Sequence, residues 1–328
     1  IKSLKKVKDW SSTLKNEGDF QKYHSEFDTL SISSLAKHGD SLIVATFGKG
    51  LFIKLHGKTE QFIQTDPKFN KPRNVFPAKN GDLWISTKNG VVQLKNGKIT
   101  SFTNKEGLPT SNIYCVFSDE EANIWMGTSG NGIQKFTSFS FLNFNKGMGL
   151  STNKIMTIGA DSRDNIWFGT IDRGVILWDR KNFHNYEKLE TNNITVRCML
   201  MEGDKMLFGS YDGIKTQAYN DNNEPYFYME ERFRPIDGLR VATMFKNDND
   251  GNLWVGTERG VDKIILNKYN EIVDLYHYDR NDGFLGIETC LNAIDKDAEG
   301  NLWFGAIYGL SKYQLGQASK KITPPKLY

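Results

Sequence analysis

Gly251-Asn252-Leu253-Trp254-Val255-Gly256-Thr257-Glu258-Arg259-Gly260-Val261 reads as a turn, a short apolar strand, a second tight turn and the start of another strand. The same order returns at Gly300-Asn301-Leu302-Trp303-Phe304-Gly305-Ala306-Ile307-Tyr308-Gly309-Leu310, and again around Trp84, Trp125 and Trp167. Two degenerate copies place Ile43 and Leu207 where the others hold Trp. From Ile43 to Trp303 the anchors are 41, 41, 42, 40, 47 and 49 residues apart. A period of roughly 40 to 50 residues with only strand and turn content is that of one β-propeller blade per repeat. The expected fold is therefore all-β, a single seven-bladed β-propeller of four-stranded blades.

The third repeat shows the expected blade. Asn112–Phe117 is the inner strand, Ser118–Asn123 a hairpin turn, Ile124–Thr128 the second strand, Gly132–Phe136 the third and Phe139–Phe144 the outer one. The second strand is apolar on both faces, as a sheet covered on both sides must be. The five repeated Trp residues are thus read as wedges between blades, each burying on the order of 200 Å². A carbohydrate-stacking platform is the competing reading, and their fixed register inside a strand speaks against it. The Gly after the wedge is expected to allow close approach of a neighbouring backbone, or a bulge.

The seventh repeat runs out after its third strand, near Tyr313, into the polar stretch Gly316-Gln317-Ala318-Ser319-Lys320-Lys321. At the other end, Gly18-Asp19-Phe20-Gln21-Lys22-Tyr23 sits one strand ahead of the first inner strand. An N-terminal strand completing the last blade would close the ring and remove its open edges. This divides the chain into an N-terminal lead-in (residues 1–16), the propeller (17–315) and a linker toward a following domain (316–328). Because the first residue is Ile, the chain is read as a piece of something longer.

Composition narrows the function. The 328 residues carry 42 basic and 39 acidic side chains, a net charge of +3, so no nucleic-acid partner is expected. The Lys2, Lys5, Lys6 and Lys8 cluster is read as a solvated terminus. No apolar run approaches the 18 or so residues that span a bilayer, so no direct membrane insertion is expected in this stretch. Cys115, Cys198 and Cys290 fall in the inner strands of non-adjacent repeats and are expected to be free, buried thiols.

The repeated Gly-Asn-Leu-Trp-x-Gly-Thr-x-x-Gly-Val/Leu pattern closely resembles the two-component regulator propeller repeat, over about residues 30 to 315. Asp282-Gly283-Phe284-Leu285-Gly286, Leu291-Asn292-Ala293 and Trp303-Phe304-Gly305 resemble that family's final blade. Ile322-Thr323-Pro324-Pro325-Lys326-Leu327-Tyr328 is similar to the entrance of the triple-tyrosine domain that often follows. The resemblance implies the periplasmic sensing region of a hybrid two-component or one-component regulator, working with neighbouring domains of the same receptor. The first and fifth repeats depart from the pattern in lacking Trp, and one propeller is present where many family sensors carry two. The motif is scaffold, so it carries over no ligand residue.

Catalysis is not expected. His24, His38, His56, His184 and His277 map to outer strands or to turns near them, away from the inner ring, which argues against a His acid or a His metal site at the axis. Propeller lyases of the streptogramin-cleaving type, which the blades also resemble, need His there. Asn247-Asp248-Asn249-Asp250-Gly251-Asn252 lacks the later bidentate Glu of a calcium loop and reads as a turn. No phosphate loop or dinucleotide fingerprint appears, so no cofactor and no metal are expected.

What varies between repeats is the loop after the second strand and the segment entering the inner strand, which share one face. They supply the candidate ligand-binding residues Arg73, Asp172, Arg173, Tyr211, Asp212, Arg240, Glu258, Arg259, Glu288 and Tyr308. Tyr and Arg with a few carboxylates suit a polar ligand such as an oligosaccharide fragment. A protein-interaction propeller that forms a homodimer is the alternative, and a propeller lyase or hydrolase the third class.

Overall fold

The computed structural model describes residues 18–21, 27, 29–55, 58–63, 71–108, 110, 112–137, 140–187, 195–230, 232–233, 240–246, 251–285 and 288–315. They form seven four-stranded antiparallel sheets, and in six of these the strands follow one another in chain order from the axis outward. The innermost strands are Ile32–His38, Pro72–Pro77, Ile113–Ser118, Ile155–Ala160, Val196–Glu202, Val241–Lys246 and Thr289–Lys296. Each touches the next around a closed ring, the seventh meeting the first. The outer strand of the seventh blade is Gly18–Gln21, which pairs antiparallel with Gly309–Leu315 from Gly18↔Leu315 to Gln21↔Lys312. The flanking lead-in and linker lie outside the described residues, as do His24, His56 and the first four residues of the Asn247–Asn252 turn.

The repeat motif is a device for stacking blades. The second strands Leu83–Thr87, Ile124–Thr128, Ile166–Thr170, Leu253–Thr257 and Leu302–Ala306 are buried throughout. Each Trp reaches the next blade at the residue that follows the anchor there: Trp125 meets Phe168 with ring centroids 5.6 Å apart, Trp167 meets Phe208 at 5.8 Å, and Trp254 meets Phe304 at 5.5 Å. With these side chains sealed between sheets, no Trp of the motif offers a stacking surface to solvent.

The motif Gly is a socket for the following blade's side chain rather than its backbone. A Cβ on Gly127 would stand 2.7 Å from Cγ2 of Ile155, and one on Gly169 2.8 Å from Cγ1 of Val196, each the first residue of the next inner strand. Any larger residue would force neighbouring blades apart.

The turn before the anchor is held by an Asp six residues upstream. Asp119, Asp161 and Asp297 accept the indole N–H of Trp125, Trp167 and Trp303 at 2.8, 2.9 and 2.7 Å. The same carboxylates accept the backbone N–H of Asn123, Asn165 and Asn301. These acids therefore fix a hairpin and a buried indole at once. The left-handed position is taken by Ala122, Asp164 and Gly300.

All three cysteines are free. Burial pushes the Cys115, Cys198 and Cys290 thiols up to about 12, so they are inert.

Candidate functional site

Two local rules build the loop face. First, the motif Thr folds back the loop that follows it. The hydroxyls of Thr87, Thr128, Thr170, Ser210 and Thr257 donate to the carbonyls of Gly90, Gly132, Gly174, Gly213 and Gly260. The same oxygens accept the backbone N–H of Asn89, Asn131, Arg173, Asp212 and Arg259. Second, the loop is tied to the segment entering the inner strand: Glu258 N–H donates to the Arg240 carbonyl at 3.2 Å, and Ile307 N–H to that of Glu288 at 3.0 Å. Candidate side chains from one blade are thereby set side by side. The seventh blade has Ala306 in place of Thr, and Tyr308 there takes a left-handed φ of 65°.

A third feature was hidden in the sequence. Every inner strand breaks register near its start, between Ile32 and Ser34, Pro72 and Asn74, Ile113 and Cys115, Ile155 and Thr157, Val196 and Cys198, and Val241 and Thr243, with a longer break from Thr289 to Ile294. A bulge re-aims the extra residue out of the ladder. Ser33, Arg73, Tyr114, Met156 and Arg197 hold this place in the first five blades.

The fifth, sixth and seventh blades converge here. Tyr211 lies between two guanidinium groups, with Arg240 Cζ 4.7 Å and Arg197 Cζ 5.3 Å from its ring centre. Glu288 bridges the same two arginines, 3.6 Å from Arg197 and 3.8 Å from Arg240. Glu258 adds a contact to Arg240 at 3.6 Å. Four of the expected residues, Tyr211, Arg240, Glu258 and Glu288, thus form one cluster, joined by Arg197, which loop-based reading omitted because it lies within a strand. Its equivalence to Arg73 in the repeat was the available signal. Arg73 packs across the ring on Tyr114, 4.4 Å from the ring centre.

The other expected residues are not drawn into this cluster. The Arg173 guanidinium turns to Glu187, past the outer strand of its own blade, at 3.0 Å. Asp172 pairs with Lys154 at 3.1 Å, and bonds from Thr152 and Lys154 outweigh partial burial to hold its carboxyl below the usual range. Arg259 lies close enough to His277, on the outer strand Ile272–Tyr278, to oppose its protonation. Asp212 contributes its backbone to the Ser210 clamp. Tyr308 is exposed.

The described histidines are not part of this cluster. His184 and His277 are on outer strands, bonded to Asp179 at 2.7 Å and Asp262 at 2.8 Å. His38 differs from the expected outer position: it ends the innermost strand of the first blade, at the opposite mouth. No group of three or more potential metal ligands occurs among the described residues.

The model of the two component regulator propeller family matches residues 149–172 and 237–259. No curated protein matches the chain. Among solved structures, the extracellular domain of the hybrid two component system BT3049 from B. thetaiotaomicron is similar at a TM-score of 0.75 and 19% identity, covering 90% of this chain and 41% of that one. The extracellular domain of the one component system BT4673 from B. thetaiotaomicron gives 0.73 and 18%, covering 92% and 40%. The chain therefore spans about two fifths of the length of these two. A catalytically inactive virginiamycin B lyase from Staphylococcus aureus with quinupristin gives 0.72 and 14%, covering 92% and 100%. These likenesses establish a shared propeller fold. Within this seven-bladed ring, the repeats at residues 149–172 and 237–259 are the ones that match the two component regulator propeller, and their motif recurs in the other blades.

Proposed function

We propose that this propeller is a non-catalytic, extracytoplasmic sensor module of a two-component-type receptor, binding a glycan fragment on the loop face, with the periplasm as its compartment. The observation that carries this is the convergence of Arg197, Tyr211, Arg240, Glu258 and Glu288 from three blades. Aromatic faces beside forked donors and carboxylate acceptors match the alternating apolar and hydroxyl surfaces of a sugar. Each carboxylate in the cluster faces a guanidinium and no described histidine joins it, an arrangement that suits holding a polar ligand. The extracellular placement of the BT3049 and BT4673 domains supports the compartment.

A protein-binding or dimerising face is the second reading, favoured by the exposure of Phe47, Tyr211 and Tyr308 on the same side. Titrating the chain with a panel of neutral and acidic oligosaccharides, by calorimetry and with product analysis of the same samples, separates the readings. Saturable binding without new products, weakened several-fold in Tyr211→Ala, is the expected result. Steady product release would overturn the sensor reading, and concentration-dependent dimerisation with no sugar binding would favour the second.

A further inference from the structure

The loop face is electrostatically lopsided. Around the fifth to seventh blades, Arg197 and Arg240 are matched by Glu258 and Glu288. Arg73, in the second blade, has no carboxylate beside it among the described residues. Its Nη1 is buried and meets no acceptor. The loop of the second blade on this face carries Lys88, and Lys71 leads into the Arg73 strand.

A buried guanidinium donor without an acceptor gives up its hydration for nothing, so such a group in a native fold calls for an explanation. Packing alone does not supply one, since a Met or Leu would cover Tyr114 without that cost. The stack does something more specific. With the guanidinium over the Tyr114 ring its rotation is restricted, and the bulge between Pro72 and Asn74 takes Arg73 out of the strand ladder at the start of the inner strand. A fixed guanidinium edge matches a planar carboxylate through two parallel hydrogen bonds, a match a lysine cannot make.

Resting on the reading of this face as a glycan site, we propose that Arg73, stacked on Tyr114, receives the carboxylate of a uronic-acid-bearing fragment. The neutral part of the fragment lies toward Tyr211. Selectivity for acidic over neutral sugars then resides in the second and third blades, and general sugar affinity in the fifth to seventh.

The test uses the full chain and three matched probes: cellobiose, cellobiose oxidised at its non-reducing C6 to the uronate, and cellobiose sulfated at the same position. Wild type is expected to bind the uronate at least tenfold more tightly than cellobiose, with the preference shrinking as salt is raised. Arg73→Gln, which keeps bulk but removes charge, is expected to bring the uronate down to the level of cellobiose, and Arg73→Lys to recover part of the difference. Tyr114→Leu, which keeps the charge but removes the stack, is expected to weaken the uronate preference several-fold and serves if Arg73→Gln melts early. Equal binding of uronate and cellobiose, or a preference that survives Arg73→Gln, overturns the proposal and leaves the glycan reading standing. Tighter binding of the sulfate than of the uronate overturns the carboxylate assignment. Binding of none of the three overturns this proposal, and the glycan reading falls separately only if the wider neutral and acidic panel also fails.

Discussion

Gly305 of the seventh blade is the socket for Ile32 of the first: a Cβ on Gly305 would stand 2.5 Å from Ile32 Cγ2 and 2.9 Å from the Cβ of Ala293. The contact that stacks ordinary neighbours thus also closes the ring. Gly305→Ala is expected to lose about 1–3 kcal/mol by overpacking, read as a lower urea midpoint. Gly159 supplies the contrast, since a Cβ there meets nothing nearer than Met199 Sδ at 3.5 Å. Gly159→Ala is expected to leave the midpoint within error or raise it. Equal losses at both positions would show that the socket is not what the motif Gly provides.

The hairpin acids make the second case. Asp161 accepts the Trp167 indole at 2.9 Å, the Tyr219 hydroxyl at 2.6 Å and two backbone N–H groups of its own turn. The bond to Asp161, after burial, is what raises the Tyr219 hydroxyl above its usual range. Asp161→Ala strands an indole N–H between two blades, so a loss of about 2–4 kcal/mol is expected, with a change in Trp fluorescence. Asp161→Asn keeps an acceptor and is expected to lose less. An alanine variant as stable as wild type would reduce the acid to an ordinary turn residue.

What the sequence revealed follows from what repeats. The anchors and their spacing are packing requirements met seven times over, five times by Trp, so the blade count, the strand order and the closing strand Gly18–Gln21 were legible. The bulges were not. A one-residue break in a strand leaves the period between anchors unchanged, so Arg197 and Tyr114 read as ladder residues when both sit at the rim. Loop membership was legible for Arg173 and Arg259, but not direction, because Glu187 and His277 lie some 14 to 18 residues further along. A side chain on a loop goes where its partner is, and the partner belongs to the part of the blade that varies.

Ring closure carries a pH signature. Asp295 in the seventh blade accepts the Lys37 backbone N–H of the first at 2.6 Å. Burial raises its carboxyl above the usual value, more than the hydrogen bonds and the nearby Lys37 and Lys296 lower it. The folded state therefore holds this proton more tightly than the unfolded chain does. Its contribution is present at pH below the unfolded value near 3.8 and is lost as pH rises through the higher folded one. Asp295→Asn keeps an acceptor for Lys37 without the charge. It is expected to melt at or above the wild-type temperature at pH 7, with that margin narrowing as pH falls through the raised folded value toward 3.8. A variant that melts lower at neutral pH would mean that the charge itself holds the blades together.

The site separates two arginines that the sequence ranked alike. Arg240 stands over Tyr211 between Glu258 and Glu288, whereas Arg173 is drawn to Glu187 beyond its own outer strand. Both are surface groups in solvent-screened pairs, so Ala at either position is expected to change stability by less than about 1 kcal/mol. Binding should split them. Arg240→Ala removes a charged donor from the cluster and leaves Glu258 without its guanidinium while Glu288 keeps Arg197, so sugar affinity is expected to fall about tenfold or more, from a charge-assisted bond of about 1.5–3 kcal/mol. Arg173→Ala is expected to bind as wild type does. Glu258→Gln in the Arg240→Ala background should recover part of the loss by removing the carboxylate left without its guanidinium, which a simple loss of contact area would not allow. Equal weakening by Arg173→Ala and Arg240→Ala would place the ligand across the whole ring of loops, not over the fifth to seventh blades.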